Sequence, residues 1–378
     1  MPQHISFDPA IPDPVAGPTA DAGSPRTTAS PALSAAWADL LGRLMKGEYL
    51  AEEEASRVLT SFFQGEAPPP VVAAVLVLMR QREESVAELL GFARAMASRM
   101  LTVPVDGDVL DTCGTGGDRQ GTINVSTAAG LVAGAAGARV LKHGGRAASS
   151  KTGSADVLER LGVDISLDPD GVAQMVNTKR FGFALATRFH PAMAAVAPVR
   201  RALGIPTAFN FLGPLVNPGH ARYQLVGVFD RRLAPSMAAV LKAQGSVHAL
   251  VVCGDDGMDE VSLSSSTTVW EVRAESEVER YEIAPGQFGL ATASLATLQG
   301  GDATENAAVL RGILSGDITD ARRDLVALNA GAALYASDRT SSIAEGLALA
   351  LETLASGHAG EYLQELIESQ PERSTMMS

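Results

Sequence analysis

Two glycine-rich loops in the first half of the chain carry the residues best suited to chemistry. The run VLDTCGTGGDRQGTINVST places glycines at positions 114, 116, 117 and 121 after a short apolar stretch. Glycine adopts positive φ and lets a ligand approach the backbone, so glycines after a strand favour a cradle of N–H groups. Such a cradle suits an anion.

The second loop adds positive charge to the same region. In ARVLKHGGRAASSKTGSAD, Lys142, Arg146 and Lys151 alternate with serines, and such side chains bind phosphate through charge-assisted hydrogen bonds. The Ala/Gly-rich segment 125–138 between the loops predicts a helix, so the two loops form one βαβ unit with both loops at the same rim. Glycines alone would fit an ordinary turn, but the combination predicts a phosphate or diphosphate site.

A pair of adjacent acids follows a later apolar run. In GDDGMDEVS, Asp259 and Glu260 supply neighbouring carboxylates on a loop, and Mg²⁺ is commonly held by one or two carboxylates together with substrate phosphates. A surface acidic turn is the alternative, because Asp255 and Asp256 show that acidic turns occur in this segment.

The chain offers no firm nucleophile or general base. Its cysteines, Cys113 and Cys253, are too few for a disulfide framework and lack metal-ligand spacing. Cys113 is interpreted as a small packed residue rather than a nucleophile. His143 is the titratable group near the second loop that could take a proton, and no catalytic residue is assigned.

Composition favours a soluble enzyme. The 378 residues, 46% hydrophobic, are enough for one large domain or two smaller ones. A net charge of −13 argues against a general nucleic-acid binder. No uninterrupted apolar run spans a bilayer, and the first residues lack a basic-then-apolar signal pattern. We therefore predict a cytoplasmic protein without a nucleic-acid or membrane partner.

The elements that position these loops follow from the hydrophobic pattern. Residues 1–32 predict a disordered tail, 33–103 an N-terminal helical domain, and 367–378 a second tail. Between them, strands such as FGFALA, YQLVGVF, VHALVVCG and STTVWEVR alternate with helices, and residues from 305 onward are helical again. The predicted fold class is α/β: a small all-helical domain plus a larger domain, 104–366, with a mostly parallel sheet.

Five motifs in one order support a more specific hypothesis. DTCGTGGD, TINVSTAAG, KHGGRAASSKTGSADVLERLG, FHPAMAAVAPVRRALGIPTAFNFLGPLVNPG and GMDEVS together resemble the signature of the anthranilate phosphoribosyltransferase family. That family joins anthranilate to phosphoribosyl pyrophosphate (PRPP) in tryptophan biosynthesis and releases pyrophosphate. The resemblance runs from about Leu33 to about Leu366. It implies that helices from about 190–218 join the helical domain, that the active site lies in the cleft between the domains, and that the chain forms a homodimer through the helical domain.

The resemblance also implies a set of site residues. The PRPP site would be formed by Gly114, Gly117, Asp118, Thr122, Asn124, Val125, Ser126, Thr127, Lys142, His143, Gly144, Gly145, Arg146, Ala147, Ala148, Ser149, Ser150 and Ser154. The acceptor site would be formed by Gly114, Gly145, His190 and Arg200, with Arg200 facing the acceptor's carboxylate. Two magnesium ions are implied, one held by Ser126 and Glu260 and one by Asp259 and Glu260.

Three of these residues have an alternative role. Lys142 and Arg146 could be surface cations bonded to neighbours, and His190 could cap the helix that follows it. The implied mechanism is attack of the aromatic amine on the anomeric carbon as diphosphate departs, with inversion and without a protein nucleophile.

Two positions depart from the family's pattern. Where the family's second loop reads KHGN, with an Asn that contacts the acceptor, this chain has Gly145; where Ala-Pro precedes HPAM, this chain has Ala186 and Thr187. Both changes fall on the acceptor side. We therefore expect an altered acceptor pocket: either anthranilate binds more weakly, having lost a polar contact of about 0.5–1.5 kcal/mol, or a different aromatic amine or acid is used.

Other functions remain open on the sequence. A pyrimidine-nucleoside phosphorylase shares the general fold and a glycine-rich phosphate loop, but it would have no use for the pair Asp259 and Glu260. A non-catalytic relative that binds nucleic acid is disfavoured by the acidic balance and by the intact PRPP and metal residues.

Overall fold

The computed structural model describes residues 31–147 and 151–370. The expectations for residues 1–30 and 371–378, and for the predicted PRPP-site residues Ala148, Ser149 and Ser150, lie outside the described residues.

Helices open the described chain, as the helical periodicity predicted. They are α1 (Pro31–Met45), α2 (Glu52–Phe63), α3 (Pro69–Gln81) and α4 (Val86–Ala97). The start of α4 is set by a capping box, in which the Ser85 hydroxyl accepts from the Glu88 N–H at 3.2 Å. The Glu88 carboxylate accepts in return from the Ser85 N–H at 2.9 Å. Local sequence therefore fixes where this helix begins.

A seven-stranded sheet forms the centre of the remaining described chain. Its strands are β1 (Leu110–Gly114), β2 (Val140–Gly144), β3 (Phe181–Leu185), β4 (Tyr223–Gly227), β5 (His248–Gly254), β6 (Thr267–Arg273) and β7 (Glu279–Ile283). They lie in the order β3-β2-β1-β4-β5-β6-β7. The first five pair in parallel, and β6 and β7 are antiparallel to their neighbours. The prediction of a mostly parallel sheet beside a helical N-terminal part is confirmed.

Helices connect the strands and follow the sheet. The connecting helices are α5 (Val125–Ala135), α6 (Ser154–Leu161), α7 (Pro169–Lys179), α8 (Ala186–Phe189), α9 (Ala197–Leu203), α10 (Phe209–Leu212) and α11 (Ala234–Ala243). The later ones are α12 (Leu295–Leu298), α13 (Ala303–Leu314), α14 (Ala321–Ala336), α15 (Ile343–Ala355) and α16 (His358–Glu368). Short 3-10 helices cover Pro191–Ala195, Gly213–Leu215 and Pro285–Phe288.

Two segments differ from the sequence-based expectations. The segment HPAMAAVAPVRRALG, within the helices expected at about 190–218, does not form one continuous helix. It is divided into the 3-10 turn Pro191–Ala195 and α9, and Pro198 lies in the first turn of α9, where its missing N–H is tolerated. Strand β7 was not predicted, because its residues ERYEI are mostly charged or exposed. Such charges are typical of an edge strand.

The helical N-terminal part shares a hydrophobic core with the sheet. Trp37 and Phe92 from the first helices, Phe209 from α10, and Val226 and Val251 from the strands belong to one buried cluster. The segment after β3 therefore packs between the helical part and the sheet, whereas the proposed domain boundary at 103/104 stays a prediction. No described helix is long and apolar enough to cross a membrane.

Candidate active site

The carboxyl ends of the parallel strands bring the predicted loops together. β1 lies between β2 and β4, and β4 pairs with β5, so the loops that leave β1, β2 and β5 share one rim of the sheet. In open α/β sheets, ligands bind at this rim, where the strand order reverses direction. The glycine-rich loops and the acidic loop predicted from distant parts of the sequence are neighbours there.

Asp259 is tied to the first glycine-rich loop. Its carboxylate accepts a hydrogen bond from the Gly116 N–H at 2.7 Å. Gly114 and Gly227 make room for it. A Cβ on Gly114 would lie 2.3 Å from Asp259 Oδ2, and a Cβ on Gly227 would lie 1.6 Å from the Asp259 carbonyl oxygen. Glycine is therefore required at these two strand ends because the acidic loop passes directly over them.

Glu260 contacts the helix that follows the same loop. Its carboxylate accepts from the Ser126 N–H at 3.1 Å, in the first turn of α5, where unpaired N–H groups favour a negative charge. Lys142 lies beneath Ser126. Its ammonium donates to Ser126 Oγ at 3.2 Å and to the Thr112 carbonyl, and the residue is 1% exposed. In this structure Lys142 is hydrogen-bonded to the first loop and is not exposed at the rim of the sheet.

Burial makes the acidic pair electrostatically unusual. Desolvation, followed by the charge of Asp118, raises the pKa of Asp259 to about 7. Desolvation and the neighbouring Asp259 raise the pKa of Glu260 well above its usual range. Burial also lowers the pKa of Lys142, against the opposing charge of Asp111. Two buried carboxylates with one supporting ammonium form a site at which an added cation would be stabilised.

The residues present fit a magnesium ion. Asp259, Glu260 and the Ser126 hydroxyl offer hard oxygen donors, which Mg²⁺ prefers. Among the described residues, no group of three or more His, Cys, Asp and Glu side chains could hold a metal alone. An ion here would need ligands from phosphates or water. This is the usual situation for magnesium in sites that bind substrate phosphates.

The second glycine-rich loop is held by the acidic side chains of α6. Arg146 pairs with Asp156 and Glu159, each at 2.9 Å, and these hydrogen bonds raise its pKa. The Ala147 N–H and the Gly153 N–H both donate to Asp156 at 2.9 Å. The structure therefore places Arg146 on the carboxylates of α6, and its predicted contact with PRPP stays a prediction.

Of the two positions that depart from the family's pattern, Gly145 lies beside Ala186, the residue that precedes the other departure, Thr187. Gly144 pairs with Leu185 at the ends of β2 and β3, so Gly145 and Ala186 leave the sheet side by side. A Cβ built on Gly145 would meet Ala186 Cβ at 3.9 Å, an ordinary van der Waals contact. A larger side chain at 145 would therefore begin without a backbone clash.

Two buried histidines lie next to each other beside the second loop. The rings of His143 and His190 are 4.9 Å apart, and Nε2 of each is buried without a hydrogen-bond partner among the described residues. Burial lowers the pKa of His143 to about 3 and that of His190 to about 4. Both rings are therefore neutral at pH 7. His143 Nδ1 donates to the Gly213 carbonyl at 3.2 Å, so the free Nε2 of this neutral ring can accept a hydrogen bond from a ligand.

Arg200 is half-buried on α9 without an ionic partner among the described residues. Its guanidinium lies 5.1 Å from the centre of the Phe209 ring, and burial lowers its pKa. Arg201, the next residue, is exposed. A half-buried, unpaired guanidinium is suited to a carboxylate ligand, and the choice of Arg200 over Arg201 stays a prediction.

The other predicted residues line the same loops. Thr122 forms an isolated β-bridge with Gln299, Gly117 lies against the Phe229 ring, and Ser154 begins α6. Val125 and Thr127 are buried at the start of α5.

An amide network that the sequence did not reveal fixes the start of α5. Asn306 on α13 donates to the Asn124 side chain at 2.9 Å, and Asn124 donates to the Thr152 carbonyl at 3.2 Å. Asn306 also accepts from the Gly301 N–H at 2.7 Å. This network joins both glycine-rich loops to the C-terminal helices, through two asparagines that are 182 positions apart in sequence.

A second residue missed from the sequence holds the acidic loop. Asn329 on α14 is fully buried, accepts from the Val261 N–H at 2.8 Å and donates to the Val261 carbonyl at 2.9 Å. Val261 directly follows Glu260. The sequence did contain one signal for this contact, a single amide within the apolar run LVALNAGAALY. A buried amide needs hydrogen-bond partners, but the sequence does not show which groups provide them.

Two family models and many curated relatives match the chain. The family model described as "Glycosyl transferase family, a/b domain" matches residues 106–360, and "Glycosyl transferase family, helical bundle domain" matches 38–100. The chain is 47% identical over 320 residues to the anthranilate phosphoribosyltransferase of Herpetosiphon aurantiacus, covering 85% of this chain and 95% of that protein.

Solved structures show the same fold. The anthranilate phosphoribosyltransferase of Thermus thermophilus matches with a TM-score of 0.81 and 44% identity, covering 87% of this chain and 98% of that one. The Saccharomyces cerevisiae enzyme in complex with PRPP and Mg matches with a TM-score of 0.81 and 29% identity, covering 88% and 97%.

Proposed function

We propose that this chain, which belongs to the anthranilate phosphoribosyltransferase family, transfers the phosphoribosyl group of PRPP to the amine of anthranilate and releases pyrophosphate. The observation that carries the proposal is the meeting of Asp259 and Glu260 with the first glycine-rich loop at one rim of the sheet. This arrangement combines backbone donors for phosphate with carboxylates for a cation. The reaction is a step of tryptophan biosynthesis.

The metal is magnesium, as in the yeast relative solved with PRPP and Mg. We assign one ion to Ser126 and Glu260 and a second to Asp259 and Glu260. When bound, magnesium neutralises the negative charge that develops on the departing pyrophosphate. The raised pKa values of Asp259 and Glu260 support this assignment, because a nearby cation relieves the cost of holding both carboxylates ionised.

The chain itself contributes mainly position and electrostatics. Backbone N–H groups of the glycine-rich loops bind the phosphates and hold the anomeric carbon in line with the acceptor. Lys142 keeps Ser126 and the start of α5 in place. The C–O bond to pyrophosphate breaks as the amine nitrogen bonds to the anomeric carbon, and the amine then loses its proton. No protein nucleophile is needed, because an arylamine is neutral at pH 7.

The acceptor lies on the side of the second loop. Arg200 supplies a forked donor for the acceptor's carboxylate, and the free nitrogens of His143 and His190 supply neutral polar contacts. A paralogous transferase with a different aromatic acid or amine is the second candidate, because Gly145 removes a side chain from this pocket. The lack of a side chain at 145, facing Ala186, is the observation that favours it.

We also propose that the chain is a homodimer through its helical domain and works in the cytoplasm. Large apolar side chains stay exposed on or beside the first helices, with Met45 75%, Tyr49 55% and Val77 36% exposed. A second copy covering them would bury this surface. Sedimentation of the purified chain tests the dimer, and fractionation of the source cells tests the location.

The decisive experiment measures pyrophosphate release from PRPP with magnesium, using anthranilate and a panel of aminobenzoates and hydroxybenzoates. The proposal expects the fastest turnover with anthranilate and none after chelation of the metal. Turnover with another acceptor alone would favour the paralogous transferase. Phosphorolysis of uridine without metal would instead identify a nucleoside phosphorylase and overturn the proposal.

A further inference from the structure

A small cavity at the amino-terminal ends of the central strands is lined by three arginines. Leu110 and Tyr223, the first residues of β1 and β4, form part of its wall, so it lies at the opposite ends of the strands from the candidate active site. Arg139, Arg180 and Arg339 line it, and its volume is about 150 Å³. None of these arginines takes part in the proposed function.

The three guanidinium groups have few protein partners. Arg139 donates to the Asn177 side chain at 2.8 Å, and Arg180 donates to the Gly137 carbonyl at 3.3 Å. The Arg339 side chain makes no hydrogen bond to a described residue, and within the described chain none of the three forms an ion pair. Each guanidinium carries five N–H donors, so most of these donors are free to bind a ligand.

Three arginines without a described ion pair gather at this cavity on an acidic chain. It has 43 acidic and 30 basic residues, and arginines elsewhere, such as Arg43 and Arg146, pair with carboxylates. The acid that lines the cavity, Asp108, lies 3.8 Å from Arg222, a cation outside the three. The cavity wall therefore carries three positive charges against one carboxylate, which Arg222 also approaches.

Helix ends explain only part of this arrangement. α5 and α14 end beside the cavity, close to Gly137 and Ser337, and a helix C-terminus favours cations. Of the three arginines, however, only Arg180 donates to a described carbonyl near these helix ends. Holding three positive charges around one cavity costs electrostatic energy, and a bound anion would offset that cost.

We propose that this cavity is a binding site for a tetrahedral oxyanion of the phosphate type, held by Arg139, Arg180 and Arg339. The volume is that of roughly five water molecules in the liquid, which admits a phosphate group but not a whole PRPP molecule. Arg180 and Arg339 are exposed, so the cavity is reached from solvent. The ligand is either free phosphate or the terminal phosphate of a larger metabolite.

The test measures binding of inorganic phosphate to the full chain by calorimetry, without PRPP. We expect R339Q and R139Q each to weaken phosphate binding at one site by about tenfold or more, since each variant removes a charge-assisted donor. R57Q, which changes an exposed arginine on α2, is the matched control and should bind as the wild type does. Melting temperatures of all variants confirm that they are folded.

The candidate active site also offers donors to phosphate, and the comparison separates the two sites. The wild type, R339Q, R139Q and R57Q all keep the candidate active site unchanged. Phosphate binding at that site should therefore be the same in all four proteins and should not contribute to the differences between them. Unchanged affinity and stoichiometry in both R339Q and R139Q would overturn the proposal, and so would an equal loss in R57Q. Displacement of the cavity-bound phosphate by ribose 5-phosphate would support a phosphorylated metabolite as ligand, and exclusion of ribose 5-phosphate would support free phosphate.

Discussion

Glu260 combines burial, a raised pKa and a hydrogen bond to the first turn of α5. Replacing it with Gln keeps the shape and the acceptor for the Ser126 N–H but removes the negative charge. We expect E260Q to need at least about tenfold more magnesium for half-maximal pyrophosphate release, because hard cations bind charged oxygens much better than amides. The measurement is the rate as a function of magnesium concentration.

The melting temperature of E260Q distinguishes a role of Glu260 in metal binding from a role in stabilising the fold. A raised carboxylate pKa means that the ionised carboxylate is less favourable in the folded chain than in the unfolded chain, which lowers stability at neutral pH. The melting temperature of metal-free E260Q should therefore equal or exceed that of the wild type. D255N removes the charge of an exposed acid of the same loop that pairs with Arg231, and it should leave the magnesium dependence unchanged. Unchanged magnesium dependence in E260Q would remove Glu260 from the metal site.

Gly145 tests whether the acceptor pocket differs from that of the family. Its φ is not positive and the nearest atom to an added Cβ is 3.9 Å away, so Asn fits there without backbone strain. We expect G145N to lower the KM for anthranilate by roughly two- to tenfold, since one hydrogen bond contributes about 0.5–1.5 kcal/mol. G145A adds the Cβ without the amide and should leave KM near the wild-type value. If G145N has the same KM as well, this position does not define the pocket.

At the scale of elements, α14 positions the acidic loop through a single amide. Substituting Ala for Asn329 leaves the buried N–H and C=O of Val261 without partners, at a cost of about 1–3 kcal/mol for each group. We expect N329A to have a lower melting temperature and to require more magnesium, because Asp259 and Glu260 directly precede Val261. Thermal unfolding and magnesium titration measure the two effects.

A buried polar residue on the neighbouring helix provides the control. Thr353 on α15 donates to the Leu349 carbonyl within its own helix at 2.8 Å and contacts no loop of the site through this bond. T353V should change the melting temperature without changing the magnesium requirement. An N329A variant that lost stability alone would show that α14 does not set the position of the acidic pair.

The same elements show what the sequence can and cannot predict. The loops at 111–127 and 142–154 and the pair Asp259 and Glu260 carry local signals, since glycine spacing and adjacent acids are visible in a short window. The support from Asn329, 68 positions beyond Val261, has no such signal. The need for glycine at 227 also depends on the backbone of Asp259, which arrives from a later part of the chain, so only the folded chain reveals it.

Across the whole molecule, fold class was easier to predict than packing. Alternating apolar runs were enough for a mostly parallel sheet and for the helices before it. The shared core of Trp37, Phe209 and Val226 joins the helical part to the sheet, and no periodicity specifies which apolar faces meet. The charged strand β7 was not predicted for a related reason. Its residues do not favour a strand by composition, and it forms because it pairs with β6 at the edge of the sheet.

The buried histidine pair gives the whole molecule a predictable response to acid. His143 and His190 have pKa values of about 3 and 4 in the folded chain, against 6.5 for an ordinary histidine. Below pH 6.5 these histidines become protonated in the unfolded chain but not in the folded chain. Each histidine therefore lowers the free energy of unfolding as pH falls, by up to about 1.4 kcal/mol per pH unit. The raised pKa of Asp259 acts in the opposite direction, because the folded chain binds its proton first.

A variant isolates the histidine contribution from these opposing carboxylates. Between pH 6.5 and 4.5, the melting temperature of H190Q should fall less steeply than that of the wild type, because its unfolded state has one proton fewer to gain. H358Q, which changes an exposed histidine on α16, should follow the wild-type curve. Parallel curves for wild type and H190Q would mean that His190 takes up its proton in the folded chain as readily as in the unfolded one. The His190 ring would then not be held neutral by burial, and its part in an uncharged acceptor pocket would fail with it.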